Sequence, residues 1–315
     1  MRVAKKAWIA VMAGAFLVSA CSRQVSTAPA ASTPVAALPA GSAQPVVGLA
    51  LSNAANPFFQ ELKQGAESAA KENGVTLLTE DAGDDVLRQI AEIRDLISQK
   101  VKVLLINPTD ADSLTGMIEV ANKAGIPVVT LDRSVNHGVV VSHIASDNRA
   151  GGKMAGEFIK DRLGKSGGRV VEVFGLPGAS ASLQRDQGFA ESLKGARKVR
   201  LVARVEGDFN RERAEQVMTQ VLRQQARVDA VFALNDEMAM GVLAALDKAG
   251  RKQVLVVGFD ASRDGLAAIR AGRLAATIAQ RPDLIGWEGV MTARKLIEHS
   301  PVESDVPIPL ELIKL

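Results

Sequence analysis

The chain has 315 residues but only one cysteine, three histidines and no tyrosine. A single cysteine cannot form a disulfide within the chain, so the fold must be stabilised by a buried apolar core. The histidines are His137, His143 and His299, and none stands beside a plausible nucleophile or in a metal-ligand cluster. We therefore expect no enzyme activity, no metal site and no cofactor. His143 lies in an apolar segment and is interpreted as a structural residue.

The chain also carries almost no net charge. Lys and Arg total 38 against 35 for Asp and Glu, and the basic excess equals the three residues Arg2, Lys5 and Lys6. Without them, 35 basic residues stand against 35 acidic ones. A protein that binds nucleic acid needs a basic surface to neutralise phosphates. The sequence therefore predicts no nucleic-acid partner.

The apolar run near the start, residues 7–18, is shorter than the roughly 20 residues that a membrane-spanning helix needs. It follows basic residues and ends in Val-Ser-Ala-Cys at 18–21, which suits a signal peptide and resembles the lipobox of bacterial lipoproteins. An ordinary buried thiol is the alternative for Cys21, but a lone cysteine directly after a signal-like segment favours lipidation. We expect a signal peptide at 1–20 and lipidated Cys21 at the periplasmic face of the cell envelope, in either the inner or the outer membrane.

Residues 22–45 are dominated by Ala, Pro, Ser, Thr and Gly, with Arg23 as the sole charge. Such a composition does not bury enough apolar surface to order itself. Together with Cys21, the segment 21–45 is predicted to be a flexible tether between the anchor and a globular body.

From residue 46 onward, predicted strands alternate with amphipathic helices, the first of which opens at Asn56 and Pro57 with a cap and a first-turn proline. This alternation is typical of an α/β fold with parallel sheets, and the length favours two sheets. Strands are predicted at 46–51, 75–80, 102–106, 127–131, 139–147, 169–174, 199–206, 229–234, 253–259 and 274–280. Helices are predicted at 57–72, 86–97, 111–124, 148–163, 180–194, 210–225, 236–249, 262–271 and 282–298, before an extended tail at 305–315.

Nine short apolar runs end in a polar or glycine residue, where a loop after a strand could display it. In open parallel sheets, ligands bind outside the carboxyl ends of the strands. The sequence therefore predicts one shared ligand site. The residues at these ends are Ser52, 80–81, Asn107, 132–133, 146–147, Gly175, Asn235, Asp260 and Gln280.

Seven motifs in this region resemble those of the periplasmic D-ribose-binding proteins, which are type I periplasmic sugar-binding proteins of ABC transporters. They are SNAANPFF (52–59), LINPTD (105–110), TLDR (130–133), SHIASDN (142–148), NDEMA (235–239), VGFD (257–260) and AATIAQ (275–280). The resemblance covers residues 46–315. It implies two similar Rossmann-like domains, 46–146 with 281–309 and 147–280 with 310–315, joined by three hinge crossings around a sugar-binding cleft.

By this resemblance the sugar contacts come from carboxylates, guanidinium groups, amides and phenyl rings. A pentose has hydroxyls that both donate and accept hydrogen bonds, and it has apolar C–H faces. The carboxylates would accept from hydroxyl pairs, the arginines would donate, the amides would do both, and the rings would stack. The implied residues are Asn56, Phe58, Phe59, Asp132, Arg133, Arg185, Phe209, Asn235, Asp260 and Gln280, with Ser52 and Asn107 nearer the rim.

Each of these residues also has a plainer interpretation. Phe58 and Phe59 could simply pack in the core. A solvated pair of Asp132 and Arg133 would contribute at most about 1 kcal/mol. Asp260 or Asn235 could cap a helix, and an arginine on a helix is usually exposed. Their joint placement at strand ends or in the first turns after them favours a common site.

Two features around Arg185 complete the sequence-based prediction. The segment GLPGAS at 175–180 lacks the Lys-Ser/Thr ending of a phosphate-binding loop, so we interpret it as a tight turn that delivers Arg185. Leu183 stands where the family has a polar residue. We therefore expect weaker bracing of Arg185.

The resemblance implies a monomer that binds D-ribose or a related pentose for an ABC permease. The same fold also presents ligands to chemoreceptors or sensor kinases and binds furanose signals such as autoinducer-2, and the sequence leaves these alternatives open. The effector core of a sugar-responsive repressor is excluded, because a signal-like segment and not a helix-turn-helix precedes the body.

Overall fold

The computed structural model describes residues 44–315. The predicted signal peptide, Cys21 and nearly all of the predicted tether lie outside them. The strands are β1 (Val46–Leu51), β2 (Thr76–Asp81), β3 (Val103–Ile106), β4 (Val128–Leu131), β5 (Ser142–Ser146), β6 (Gly168–Phe174), β7 (Val199–Glu206), β8 (Ala230–Ala233), β9 (Leu255–Asp260), β10 (Ala276–Ala279), β11 (Asp305–Ile308) and β12 (Glu311–Lys314). The α-helices are α1 (Pro57–Glu72), α2 (Val86–Ser98), α3 (Thr115–Lys123), α4 (Asn148–Leu163), α5 (Ser180–Leu193), α6 (Arg211–Gln224), α7 (Asp236–Lys248), α8 (Arg263–Arg270) and α9 (Pro282–Ile297).

The strands form two six-stranded sheets, which confirms the predicted α/β fold. The first sheet has the order β2-β1-β3-β4-β5-β11, and all its strands are parallel. The second has the order β7-β6-β8-β9-β10-β12, in which β12 alone is antiparallel. We call the part built on the first sheet the N-domain and the part built on the second the C-domain.

Among residues 44–315 the chain passes between the two sheets three times. The passages lead from β5 to α4, from β10 to α9, and from β11 to β12. β11 leaves the first sheet at its carboxyl edge and β12 enters the second sheet from the corresponding edge, so β12 runs antiparallel to its neighbour. The domain boundaries proposed from the sequence, near residues 146, 280 and 309, stay a prediction.

Local side-chain chemistry sets where the helices begin. The side chain of Asn56 accepts a hydrogen bond from the Phe58 N–H, and Pro57 occupies the first turn of α1, as predicted. The helix predicted from residue 111 begins only at Thr115, because Asp110 Oδ1 accepts from the N–H groups of Asp112 and Ser113 and holds those residues in a turn.

Apolar side chains from both faces of each sheet pack against helices. The N-domain has one core cluster on each face of its sheet, and the C-domain has one large cluster around Phe189, Phe232 and Phe259. None of the helices within residues 44–315 is both long and apolar enough to cross a membrane. The carboxyl ends of strands from both sheets thus meet at one place.

Candidate functional site

The carboxyl ends of the two sheets enclose a cavity of about 250 Å³ between the domains. Its lining comes from both domains and contains nine of the twelve predicted ligand residues. The lining residues are Asn56, Phe58, Phe59, Asp132, Arg133, Ala181, Arg185, Phe209, Asn235 and Asp260.

The remaining three predicted residues lie behind the lining. Ser52 Oγ donates to Asn107 Oδ1 at 2.6 Å, and Asn107 Nδ2 lies 3.4 Å from Asp132 Oδ2. Gln280 Nε2 donates to Asp260 Oδ1 at 2.8 Å. These amides therefore orient the two cavity carboxylates, and direct contact of Ser52, Asn107 and Gln280 with a ligand stays a prediction.

Phenyl rings form apolar walls of the cavity. Phe58 and Phe59 meet edge to face, with ring centroids 5.2 Å apart. Both also belong to the N-domain core, so the core interpretation and the cavity interpretation hold together. Phe209 comes from the C-domain and has a positive φ of 55°, a strained conformation for a bulky residue. That strain turns its ring towards Arg133, whose guanidinium lies 5.2 Å from the ring centroid.

Asp132 and Arg133 are buried rather than solvated. Each is 3 % exposed, and Arg133 Nε lies 3.8 Å from Asp132 Oδ2. Burial raises the pKa of Asp132 and lowers that of Arg133, against their mutual attraction. Asp132 Oδ1 and Arg133 Nε have no hydrogen-bond partner within residues 44–315. A ligand with hydroxyl groups could supply both partners.

Arg185 and Asp260 form the matching pair in the C-domain. Arg185 Nη1 lies 3.7 Å from Asp260 Oδ1, and its guanidinium stacks 3.7 Å from the centroid of the Phe259 ring. Burial raises the pKa of Asp260 to about 8, although the positive charge of Arg185 opposes this shift. The free energy cost of the buried carboxylate would fall if ligand hydroxyls donated to it.

Arg185 is braced from directions that the sequence did not predict. Its Nε donates to Asn148 Oδ1 at 2.8 Å, and its Nη1 donates to the Leu234 carbonyl at 2.6 Å. Leu183 is half exposed, and the expected loss of bracing is compensated by these two bonds. Asn148 belongs to the SHIASDN motif, so the motif contained the signal for this role. Ala181 also lines the cavity, but an alanine carries no chemical signal of a site.

Asn235 and Asp260 differ in their relation to helix caps. Asn235 Oδ1 accepts from the Met238 N–H at 2.9 Å, so it caps α7 while it lines the cavity. The cap of α8 is Ser262 and not Asp260. Behind them, the buried carboxylate of Asp236 accepts from Ser262 N–H at 2.7 Å and from Thr277 Oγ1 at 2.8 Å. Asp236 thus fixes the loop that presents Asp260.

The two domains contact each other beside the cavity through segment 175–180. The Gly178 carbonyl accepts from the Ala111 N–H at 3.0 Å, and Ser180 Oγ accepts from the Ser134 N–H at 2.8 Å. A Cβ on Gly178 would collide with the carboxylate of Asp110. This segment is therefore one place where the C-domain touches the N-domain, and α5 with Arg185 follows directly after it.

The charges of the lining are formally balanced, with two carboxylates against two guanidinium groups. Flanking amides and phenyl rings add donors, acceptors and apolar faces. Such a set matches an uncharged ring that carries several hydroxyls. Within residues 44–315 no group of His, Cys, Asp and Glu could hold a metal ion.

Comparisons with known proteins agree with this geometry. The model of the family described as periplasmic binding protein domain matches residues 47–301. The ribose import binding protein RbsB of Haemophilus influenzae is 45 % identical over 272 residues, which cover 86 % of this chain and 92 % of that protein. The same-named protein of Bacillus subtilis is 43 % identical, with 84 % and 86 % covered.

Solved structures show the same architecture. An ABC transporter solute-binding protein from Mycobacterium smegmatis with bound glycerol superposes with a TM-score of 0.83 at 31 % identity, covering 86 % of this chain and 94 % of that one. The match of the family model includes the passages from β5 to α4 and from β10 to α9. The chain belongs to the periplasmic binding protein family.

Proposed function

We propose that this protein is the substrate-binding lipoprotein of an ABC sugar importer and that it binds D-ribose, or a closely related pentose, in the interdomain cavity. The observation that carries this proposal is the cavity itself, which combines two buried carboxylates, two buried guanidinium groups and phenyl walls from both domains. The similarity to two ribose import binding proteins supports the choice of sugar.

The proposed recognition uses the free hydrogen-bonding capacity of the buried charges. Asp132 and Asp260 would each accept from a pair of sugar hydroxyls, while Arg133 and Arg185 would donate to hydroxyls or to the ring oxygen. The rings of Phe58, Phe59 and Phe209 would cover the C–H faces of the sugar. Because charges of the lining balance, a phosphorylated sugar would bring two uncompensated negative charges into a buried site.

Neither domain can satisfy the sugar alone, because one carboxylate–guanidinium pair belongs to each domain. We propose that ligand binding shifts the protein towards the closed arrangement, by rotation near Ser146, Gln280 and Pro309. A preference of about 5.5 kcal/mol for the closed form would carry its population from 1 % to 99 %. Closure would also bring surfaces of both domains into a fixed relation that a permease can recognise.

The envelope location and the partners complete the proposal. The relatives are named as binding proteins, so we propose a monomeric binding protein without enzyme activity, without cofactor or metal, and without a nucleic-acid partner. Cys21 would carry the lipid anchor, with more than one acyl chain, since a single chain holds a protein only marginally. The proposed permease partner is tested by capture of membrane proteins with the ribose-loaded protein. Recovery of a chemoreceptor instead of a permease would contradict the proposed partner.

Titration calorimetry against a panel of sugars tests the ligand. We expect tight binding of D-ribose and much weaker binding of its epimers, of 2-deoxyribose and of ribose 5-phosphate, because a site built on hydrogen bonds rejects analogues that leave buried groups unpaired. D-allose belongs in the panel, because a D-allose-binding protein of Escherichia coli is also similar, at 33 % identity. Tight binding of another sugar, with no binding of ribose, would contradict the proposed ligand.

A further inference from the structure

A charged cluster lies behind the cavity in the C-domain, and none of its members lines the cavity. The three residues are Glu172 on β6, Asp186 on α5 and Arg204 on β7. Glu172 and Arg204 are register partners on neighbouring strands. The guanidinium of Arg204 lies 3.6 Å from Glu172 Oε2 and 3.1 Å from Asp186 Oδ2. Arg204 thus bridges the sheet to the helix that carries Arg185.

The cluster is one positive charge short of balance when both carboxyls are ionised. Glu172 is fully buried, and neither of its carboxyl oxygens has a hydrogen-bond partner within residues 44–315. On its other side β8 contributes the apolar Phe232, so Asp186 and Arg204 are the charged groups that face it. Arg204 and Asp186 are partly exposed, so the uncompensated charge falls on the buried Glu172, and a proton on Glu172 makes the cluster neutral.

The pKa of Glu172 agrees with a neutral cluster at neutral pH. Burial and, after it, the neighbouring carboxylate of Asp186 raise the pKa of Glu172 to about 8, against the effect of Arg204. The proton is therefore present at neutral pH and leaves in mildly alkaline solution. When it leaves, two carboxylates repel each other across the interface between β6 and α5.

Arg185 is the residue that precedes Asp186 on α5, so a displacement of α5 reaches the cavity directly. Repulsion at Asp186 is not relieved by a shift of α5 towards α4, because a Cβ on Gly152 of α4 would already collide with the Arg185 carbonyl. The guanidinium of Arg185 is held by Asn148 and by the Leu234 carbonyl, both on the cavity side. The backbone of α5 is therefore clamped between α4 and the charged cluster.

We propose that Glu172, Asp186 and Arg204 are positioning residues that hold Arg185 in the ligand cavity from behind, and that deprotonation of Glu172 weakens ligand binding. This inference rests on the proposed function for the identity of the ligand, but its structural part does not. Protonated, the cluster lets Arg204 bridge both carboxyls. Deprotonated, it pushes α5 from the sheet and displaces Arg185.

Calorimetry with D-ribose between pH 6.5 and 9 tests the effect on binding. The cavity carboxylate Asp260 titrates in the same range, so the readout is the ratio of the wild-type Kd to the Kd of Glu172→Gln, in which the contribution of Asp260 cancels. We expect a ratio near one at pH 6.5 that rises to about fivefold or more at pH 9, the usual lower range for coupled sites. Asp186→Asn should behave like Glu172→Gln and serves as a second variant.

Glu215→Gln is the matched control, since Glu215 pairs with Lys248 on the C-domain surface away from the cavity. Its Kd should follow the wild-type Kd at every pH. A ratio for Glu172→Gln and Asp186→Asn that stays constant from pH 6.5 to 9 would overturn the proposal, as would a ratio that Glu215→Gln reproduces.

A measurement without sugar separates this inference from the proposed function. The Nε–H resonance of Arg185, identified by its loss in Arg185→Lys, should shift further between pH 6.5 and 9 in the wild type than in Glu172→Gln, because Asp260 titrates beside Arg185 in both proteins. If ribose does not bind but this difference occurs, the proposed ligand is wrong and the positioning role stands. If the shift is the same in the wild type and in Glu172→Gln, the positioning role is wrong whatever the ligand.

Discussion

Gln280 donates a hydrogen bond from Nε2 to Asp260 Oδ1 at 2.8 Å. Gln280 directly follows β10 at the passage into α9, while Asp260 ends β9 and lines the cavity. A carboxylate proposed to bind the sugar is thus tied to a residue at one of the three passages between the domains. Rotation of the backbone at this passage would change the hydrogen bonding of Asp260, so domain movement and ligand contact are coupled through one amide.

Removal of the Asp132 carboxylate should weaken ribose binding without loss of stability. Each buried hydroxyl partner left unpaired costs about 1–3 kcal/mol, so Asp132→Ala should raise the Kd for ribose roughly ten- to a hundredfold or more. The melting temperature of the ligand-free protein should hardly change, because the cost of burying the Asp132 carboxylate, which raises its pKa, offsets its contacts with Arg133 and Asn107. Calorimetry and thermal unfolding measure the two effects.

Asp247→Ala is the control for this variant, because Asp247 pairs with Arg273 at a partly exposed position remote from the cavity. Its Kd should equal that of the wild type. Equal affinity of the wild type for ribose and for 2-deoxyribose would contradict the prediction that the cavity carboxylates bind the sugar hydroxyls.

A methyl group at Gly178 should prevent full closure of the domains. A Cβ at this position collides with the Asp110 carboxylate, whose other oxygen is fixed by the N–H groups of Asp112 and Ser113. Gly178→Ala should therefore bind ribose more weakly and retain a larger radius of gyration at saturation, with unchanged stability of the ligand-free protein. Small-angle scattering with and without ribose measures the closure.

Gly116→Ala provides the comparison for Gly178→Ala, since a Cβ on Gly116 meets nothing within 4 Å. It should close like the wild type and gain about 0.5–1 kcal/mol of stability from its helical position. A wild-type radius of gyration that is the same with and without bound ribose would show that a partner protein does not recognise the protein by domain closure.

His143 should make the protein less stable in acid. Burial lowers the pKa of His143 below its ordinary value, although Asp305 and Asp132 oppose this shift, and its Nδ1 shares a 2.8 Å hydrogen bond with Thr130 Oγ1. The unfolded chain binds a proton near pH 6.5 that the folded protein resists, so stability falls as the pH drops from about 6.5 through the folded pKa. Urea unfolding at pH 5 and pH 8 measures this loss.

In His143→Gln the difference in unfolding free energy between pH 5 and pH 8 should shrink. His137→Gln alters an exposed histidine and should retain the wild-type difference. An unchanged pH dependence in His143→Gln would show that other groups cause the loss in acid.

Cys21→Ser should abolish lipidation. The motif Val-Ser-Ala-Cys at 18–21 predicts acylation of Cys21, so the variant should appear as unprocessed precursor or as a soluble form, while the wild type fractionates with membranes. Intact-mass spectrometry and membrane fractionation measure both properties. Wild-type protein that carries no acyl mass and remains wholly in the soluble fraction would contradict the anchor.

Local patterns were sufficient for most of the fold. Helical and strand periodicity, with the cap at Asn56 and Pro57, predicted the order of nearly all elements to within a few residues, because these signals act between neighbours in the chain. The start of α3 was missed, since the Asp110 turn competes with the helix through side-chain hydrogen bonds. The antiparallel β12 was not predicted, because its direction depends on which edge of which sheet the chain enters.

The sequence by itself determined the α/β architecture, the family and the residue types gathered at the strand ends, since spacing and motif identity are properties of the chain alone. Only the tertiary structure decided which of those residues line the cavity and which stand behind them. The contact of Gln280 with Asp260 spans 20 residues and that of Ser52 with Asn107 spans 55. The bridge from Arg204 to Glu172 exists because β6 and β7 pair in one register. Such contacts arise from sheet order and domain packing, which no local pattern encodes.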